Sequence, residues 1–92
     1  MKRTKEDSFK YKKLEKTFKG IANHRRVEIL FLLQKNPGLS VDQIAEQTQV
    51  SFATIASHLQ KLNHSGLINK NYIGRTVVHH ITKRAKDIMT LC

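Results

Sequence analysis

Hydrophobic positions between Ser40 and Gly66 follow two short helical patterns joined by a tight turn. Ser40 has the position of an N-cap, and Gln43, three residues later, can complete a capping box. The first pattern repeats at the i, i+3, i+4, i+7 spacing of one buried helical face: Val41, Ile44, Ala45 and Thr48. The second begins at Ser51, and its apolar residues form one narrow stripe: Ile55, Leu59 and Leu62. Together they predict a helix-turn-helix.

The face opposite the second stripe is small, hydroxylic, amide-bearing and basic. At 100° per residue, the side chains pointing that way are Ala53, Thr54, Ser57, Gln60 and Lys61. Short polar side chains let a helix enter a DNA major groove, while Gln and Lys can reach base edges or phosphates. We therefore expect this face, with Ser51 and Ala56, to bind DNA. The alternative is a solvated surface helix of an ordinary small α-helical domain.

Residues 67–73 and 76–81 are rich in Ile, Val and Tyr and flank Gly74-Arg75, which predicts a β-hairpin. A helix-turn-helix that runs directly into a two-stranded hairpin is the winged-helix arrangement. Arg75 is expected at the tip of this wing, where it could enter a narrow minor groove. The predicted fold is mainly α with a β-hairpin wing: a winged helix-turn-helix of four helices, two strands and a fifth helix.

Three further helices complete this prediction. The first covers about residues 5–19, and its apolar stripe consists of Tyr11, Leu14, Phe18 and Ile21. The second is capped by Asn23 and ends near residue 35; it is apolar on nearly every side, so it must be central. The last is capped by Thr82, and its apolar positions are Ala85, Ile88, Met89 and Cys92. Residues 1–92 are expected to form a single winged helix-turn-helix domain, with the terminal helices at about 5–19 and 82–92.

The apolar stripes of the terminal helices need a cover, because the remaining elements already close a small core. The simplest cover is a second copy of the chain, with pairing through Tyr11, Leu14, Phe18, Ile88 and Met89. In a two-fold dimer, the recognition helices would meet major grooves about 34–36 Å apart, one turn of DNA. The alternative is that the two ends pack on each other within one monomer.

The charge balance agrees with a polyanion as partner. Seventeen Lys and Arg stand against seven Asp and Glu, a formal net charge of +10. That excess is typical of nucleic-acid binders, although charge alone also serves solubility. The lone cysteine, Cys92, and the lack of a long apolar run favour a cytoplasmic protein. Oxidation at Cys92 could link two chains, but a terminal cysteine is more often inert.

Several segments resemble the ArsR-type winged-helix repressors. Residues 20–30 (GIANHRRVEIL) resemble the start of that family's central helix, and residues 39–45 (LSVDQIA) resemble its first helix-turn-helix helix. Residues 50–62 (VSFATIASHLQKL) and 65–68 (SGLI) are similar to its recognition helix and the beginning of its wing. The resemblance covers roughly residues 15–82. It implies a homodimeric transcription repressor that pairs through its first and last helices.

The chain departs from this family in ways that bear on effectors. Metal-sensing members carry a Cys-x-Cys on the first helix-turn-helix helix, or carboxylate and His ligands on the last helix. In this chain residues 39–44 contain no cysteine, and the only such groups on the last helix are Asp87 and Cys92. We therefore expect no metal effector and no cofactor. Phe52 replaces a polar residue at the start of the recognition helix; packing at the rim of the core is favoured over contact with a thymine methyl.

The histidines are expected to have structural or phosphate-contact roles. His24 and His58 do not approach each other by sequence spacing, and His79 and His80 project to opposite faces of a strand. No enzyme motif is present, and the seven acidic residues are scattered. Two function classes remain: a sequence-specific regulator that binds double-stranded DNA, and a winged-helix module for protein interaction or nucleic-acid packing. The recognition face lacks aromatic or aliphatic anchors, which favours the regulator.

Overall fold

The computed structural model describes residues 4–92 and has the predicted order of elements. The helices are α1 (Lys5–Ile21), α2 (His24–Lys35), α3 (Val41–Thr48), α4 (Phe52–His64) and α5 (Lys83–Met89). An antiparallel hairpin of β1 (Ile68–Ile73) and β2 (Thr76–Ile81) lies between α4 and α5. The prediction of a winged helix-turn-helix is confirmed; α1 is two residues longer than expected, and β1 begins one residue later.

Side-chain caps explain where the helices begin. Each first turn leaves backbone N–H groups without a helical partner, and a short polar side chain accepts from one of them. The N-caps are Thr4, Asn23, Ser40, Ser51 and Thr82. At α3 the predicted capping box is present: Ser40 Oγ accepts from the Gln43 N–H at 3.3 Å, and Gln43 Oε1 accepts from the Ser40 N–H at 2.9 Å.

The core forms around α2, which contacts α1, α4 and β2. Fully buried aliphatic side chains from α2, α3, α4 and the start of the wing fill it: Ile29, Leu30, Leu33, Ile44, Ile55, Leu59, Leu62, Leu67 and Ile68. The predicted central position of α2 is confirmed, although Phe31 leaves 39% of its surface exposed. Burial of three predicted stripe residues of α4 fixes which side of that helix faces outward.

The wing is attached to the rest of the fold by a contact that the hydrophobic pattern did not indicate. Leu39, in the segment between α2 and α3, forms a β-bridge with His79 of β2. The Gly38 N–H donates to the His79 carbonyl at 2.9 Å, and the His79 N–H donates to the Leu39 carbonyl at 3.0 Å. The middle of β2 is therefore hydrogen-bonded to the segment that leads into the helix-turn-helix.

The C-terminus differs from the prediction in two ways. The helix α5 ends at Met89, and Cys92 is exposed beyond it, so Cys92 does not continue the apolar stripe. Met89 is only 5% exposed and belongs to the core of its own chain. The side of this short helix that carries Ala85 and Met89 packs against the core of the same chain. Met89 is therefore not available to a second chain, and its prediction as a dimerisation residue is wrong. Within residues 4–92, no helix is long and apolar enough to cross a membrane.

Candidate nucleic-acid interface

The outward face of α4 presents the residues expected to bind DNA. Seven of the eight expected residues are exposed: Ser51, Ala53, Thr54, Ser57, Gln60, Lys61 and, on the wing, Arg75. Ala56 is half-buried on the flank of the helix. The face combines three hydroxyls, an amide and an ammonium group between small side chains, which is chemistry suited to base edges and phosphates.

The turn that orients α4 depends on an unusual backbone conformation. Gln49 closes α3 in the left-handed region, with φ of 58°, and the Val50 N–H donates to the Ala45 carbonyl at 3.2 Å. The Gln49 side chain donates from Nε2 to the Glu46 carbonyl at 2.7 Å. These bonds bend the chain within two residues, so that α4 follows α3 as the second helix of a helix-turn-helix.

The first turn of α4 has a hydroxyl pair at its outward edge. Ser51 Oγ accepts from the Thr54 N–H at 3.3 Å and donates to Thr54 Oγ1 at 2.9 Å. With that donor in place, the Thr54 hydroxyl keeps its own proton for an external acceptor. Ser51 therefore caps the helix and also holds the exposed Thr54 hydroxyl in place.

Phe52 does not pack at the rim of the core, contrary to the favoured interpretation. It is 55% exposed at the first position of α4. By helical spacing Phe52 shares the side of α4 that carries Ile55 and Leu59, three and seven residues later. Because it is the first residue of the helix, its ring stays exposed where those side chains are buried. An exposed ring at this position is available to an apolar group of a partner.

The wing tip is more apolar than its turn sequence suggested. Gly74 has φ of 62°, in the left-handed region, and Arg75 follows it, so the tight turn is built at the predicted place. Beside it, Tyr72 and Ile73 are 76% and 66% exposed. The sequence analysis assigned these two residues only to a strand. They lie at the far end of β1 from Ile68, the one buried residue of that strand, and a hairpin that extends this far along the sequence places its tip outside the core.

The inner flank of α4 carries a histidine in a positive environment. The Nδ1 atom of His58 is buried, and no hydrogen-bond partner for it occurs in the described part of the chain. Its burial, followed by the charges of Arg26, Lys61 and Arg25, lowers the pKa of His58 below 6.5. His24 has the smallest effect, in the same direction, so the fold brings it near His58, a proximity that sequence spacing did not indicate.

His79 and His80, which were predicted to project to opposite faces of a strand, differ in burial. His79 is 1% exposed, and burial lowers its pKa below 6.5, while its hydrogen bond to Leu39 acts in the opposite direction. The His80 ring Nδ1 lies 3.0 Å from Asn71 Oδ1 on the neighbouring strand. Over residues 4–92, histidine, cysteine and acidic side chains do not gather in groups of three or more that could hold a metal ion.

The terminal helices leave an apolar surface uncovered. Tyr11, Leu14 and Phe18 of α1 are 51%, 42% and 54% exposed. A groove of about 410 Å³ separates the Leu14 and Phe18 side of α1 from Ile88 of α5. The two helices touch within the monomer through Arg84, whose Nη1 donates to Thr17 Oγ1 at 3.3 Å. That contact leaves the apolar stripe of α1 open.

Known proteins resemble this chain over most of its length. The family model for bacterial regulatory proteins of the arsR family matches residues 23–70. The uncharacterized HTH-type transcriptional regulator B-115 of Sulfolobus spindle-shape virus 1 is 38% identical over 66 residues, which are 72% of this chain. The match spans only 57% of the length of that viral relative.

Solved structures agree with this family match. Reduced HlyU from Vibrio cholerae is 28% identical, with a TM-score of 0.80 over 96% of this chain and 93% of that one. A homodimeric winged helix-turn-helix DNA-binding domain, Mb0332 from Mycobacterium bovis, has a TM-score of 0.88 over 99% of this chain and 84% of its own, at 24% identity. At that identity the second likeness shows the fold alone. The chain belongs to the arsR family of bacterial regulatory proteins, which are DNA-binding winged helix-turn-helix transcription regulators and not enzymes.

Proposed function

We propose that this chain is a homodimeric transcription repressor that binds double-stranded DNA in a sequence-specific manner. The observation that carries the proposal is the outward face of α4, whose five central residues are all exposed, small or flexible, and polar or basic apart from one alanine. The proposed DNA contacts are Ser51, Ala53, Thr54, Ala56, Ser57, Gln60, Lys61 and Arg75.

Phosphate and base contacts divide between these residues by their chemistry. Lys61 and Arg75 carry full charges and supply sequence-independent attraction to phosphates, or, for Arg75, to the negative potential of a narrow minor groove. Ser57 and Gln60 carry hydrogen-bonding groups with direction, so they read base edges. Phe52, exposed at the start of α4, provides an apolar contact of the kind that recognises a thymine methyl.

Pairing of two chains supports a palindromic site. The exposed stripe of Tyr11, Leu14 and Phe18, together with Ile88 across the groove, offers an apolar surface for a second copy. The homodimeric state of the Mycobacterium bovis domain supports the same assembly. A two-fold dimer that covers adjacent major grooves excludes other proteins from that DNA, so we infer repression when the site overlaps a promoter.

Selection of bound duplexes from a random pool by the full chain tests this proposal. We expect an inverted repeat with half-site centres about 10–10.5 base pairs apart, and transcription in vitro should fall when that repeat overlaps a promoter. Enrichment of no sequence would instead favour the alternative, a module for protein interaction or non-specific nucleic-acid packing. A single unrepeated half-site would contradict the two-fold dimer.

A further inference from the structure

A basic pocket lies where the end of α1, the first turn of α2 and the last turns of α4 meet. It has a volume of about 620 Å³, within the usual range of small-molecule sites. Five of the residues that line it are cations or a histidine: Lys16, Lys19, Arg26, Lys61 and His64. Glu15 is the single acidic residue among its lining residues, and its carboxylate lies 3.9 Å from Lys19 in an exposed pair that solvent weakens.

Arg26 is the buried charge of this pocket. It is 9% exposed, its Nε donates to the Gly20 carbonyl at 2.6 Å, and its Nη2 donates to the Lys19 carbonyl at 3.4 Å. Both acceptors are neutral carbonyls at the end of α1. Among residues 4–92, the ion pairs do not include Arg26, and its Nη1 has no hydrogen-bond partner. The Nη1 atom is not among the fully buried atoms that lack a partner, so it is open to the pocket, where an anion would accept a hydrogen bond from it.

Gly20 explains how the cations come together. A Cβ atom at this position would overlap the side chain of Ser65, at the end of α4. Only glycine lets α1 approach α4 so closely, and this approach brings Lys16 and Lys19 to the same pocket as Lys61. The cluster therefore depends on the close packing of α1 against α4 at Gly20, and it is more than a group of scattered surface lysines.

Two cations of the pocket also act on a neighbouring histidine. After burial, the largest influences on the pKa of His58 are the charges of Arg26 and Lys61, and both lower it. These two cations line the pocket. Burial and these two charges together disfavour the charged form of His58, and an anion in the pocket would meet the same two cations.

We propose that this pocket binds a small phosphorylated molecule, with Arg26 and the lysines donating to its phosphate oxygens. Guanidinium and ammonium groups form short, strong hydrogen bonds to phosphate, and Arg26 is already oriented by its carbonyl contacts. The pocket, at about 620 Å³, has room for a free phosphate group beside Arg26. The backbone of a duplex is less suited, because it follows the convex outer face of α4 instead of entering a concave site.

Binding here would also regulate DNA binding, since Lys61 faces both the pocket and the proposed DNA interface. A ligand that neutralises Lys16, Lys19 and Lys61 removes positive charge beside the recognition helix, so it weakens attraction to phosphates. This regulatory step rests on the proposed function. Binding of the ligand to the free protein does not.

Titration calorimetry of the full chain with sodium pyrophosphate, at neutral pH and about 0.15 M salt to screen surface charges, is the direct test. We expect one site per chain. The double variant Lys16→Gln/Lys19→Gln should weaken binding about tenfold or more, as expected for lost charge-assisted hydrogen bonds. The matched control Lys35→Gln/Lys86→Gln loses the same charge at exposed positions outside the pocket and should change affinity less than about threefold.

Amide spectra recorded with pyrophosphate and, separately, with duplex DNA complete the experiment. During a titration, pyrophosphate should shift the amide signals of Gly20 and Ser65 at lower concentrations than those of other residues. Equal losses in the two double variants, or shifts spread over all lysine-rich surfaces, would overturn the proposal. Shifts of Gly20 and Ser65 by duplex DNA but not by pyrophosphate would also overturn it and assign the pocket to the DNA backbone. If pyrophosphate binds as expected and the protein binds no duplex, only the proposed function fails.

Discussion

The carbonyl oxygen of Leu39 accepts two hydrogen bonds from His79, one from the backbone N–H at 3.0 Å and one from the ring Nδ1 at 2.8 Å. A carbonyl only accepts, so the Nδ1 atom must carry the proton in this contact. Because His79 belongs to β2 and Leu39 precedes α3, this pair fixes the wing relative to the helix-turn-helix. The two proposed DNA-contacting elements are thus joined through one buried imidazole.

Stability should fall as the solution is acidified below about pH 6.5. Burial lowers the pKa of His79 below 6.5, and burial with nearby cations does the same for His58. The folded chain then binds fewer protons than the unfolded chain, so the free energy of unfolding decreases from pH 6.5 down through the lower folded pKa values and is constant above. Urea unfolding at several pH values between about 5 and 8 measures this slope.

The variant His79→Gln tests which imidazole is responsible. Its amide can still donate to the Leu39 carbonyl, but it does not titrate, so the slope with pH should become shallower than in the wild type. The loss of buried ring contacts should lower the free energy of unfolding by about 1–3 kcal/mol at neutral pH. The variant His58→Gln provides the comparison for the other histidine. An unchanged slope in both variants would mean that neither histidine governs the effect.

Substitutions on α4 should separate affinity from specificity. Lys61→Ala should weaken binding to all duplexes alike and reduce the salt slope by about one unit, because it removes one phosphate contact. Ser57→Ala or Gln60→Ala should instead relax preference at particular base pairs, by about 1–3 kcal/mol of discrimination for each good contact. Binding curves on selected and random duplexes at several salt concentrations measure both. Equal effects of all three changes on both duplexes would exclude direct readout by this helix.

The wing should contribute most where the minor groove is narrow. Arg75→Ala should reduce affinity for sites with A·T-rich flanks and change it little for G·C-rich flanks, since narrow grooves concentrate negative potential. The fold should remain intact because Arg75 is exposed at the turn. Lys35→Ala, which removes one positive charge from the end of α2, is the control for non-specific electrostatics. The same loss on both flanks would identify Arg75 as a general phosphate contact.

The positions of the helices could be predicted because they depend on short-range sequence patterns. Caps such as Ser40 with Gln43, and the apolar stripe of α4, depend on neighbours within a few residues, so their positions could be predicted. The pair of Leu39 and His79 joins residues 40 positions apart and has no local pattern. The exposure of Phe52 depends equally on tertiary packing, because one apolar residue at a helix start fits either environment.

For the proposed dimer, too, the local pattern of the terminal helices could not predict how their side chains pack. An amphipathic stripe reveals which residues are apolar but not whether the same chain or another one covers them. Leu14 and Phe18 remain exposed, whereas Met89, at 5% exposure, fills its own core. The burial of Met89 followed from where α5 docks, which the spacing of its apolar residues did not specify. The surface available for pairing is therefore narrower than the sequence predicted: Tyr11, Leu14 and Phe18 remain exposed, and Ile88 is half-buried.

Charged substitutions at this surface should produce monomers that still fold. Leu14→Glu places a carboxylate on the exposed stripe of α1, and Ile88→Glu places one across the groove. Either change would bury an unpaired charge in a paired interface, so each should dissociate the dimer and weaken binding to a palindrome more than to a half-site. Sedimentation in EDTA, with and without a reductant, measures the state of assembly and removes any contribution from metal or from Cys92.

Two further variants make this test specific. Ile73→Glu introduces the same charge at an exposed apolar residue of the wing and should leave the protein dimeric. Met89→Ala should instead lower the free energy of unfolding by about 2–5 kcal/mol, since Met89 lies in the core. Because apolar burial at ~25 cal/mol per Å² must exceed the cost of association, the wild type should pair at micromolar concentration. A wild-type monomer under both redox conditions would remove the basis for a palindromic operator.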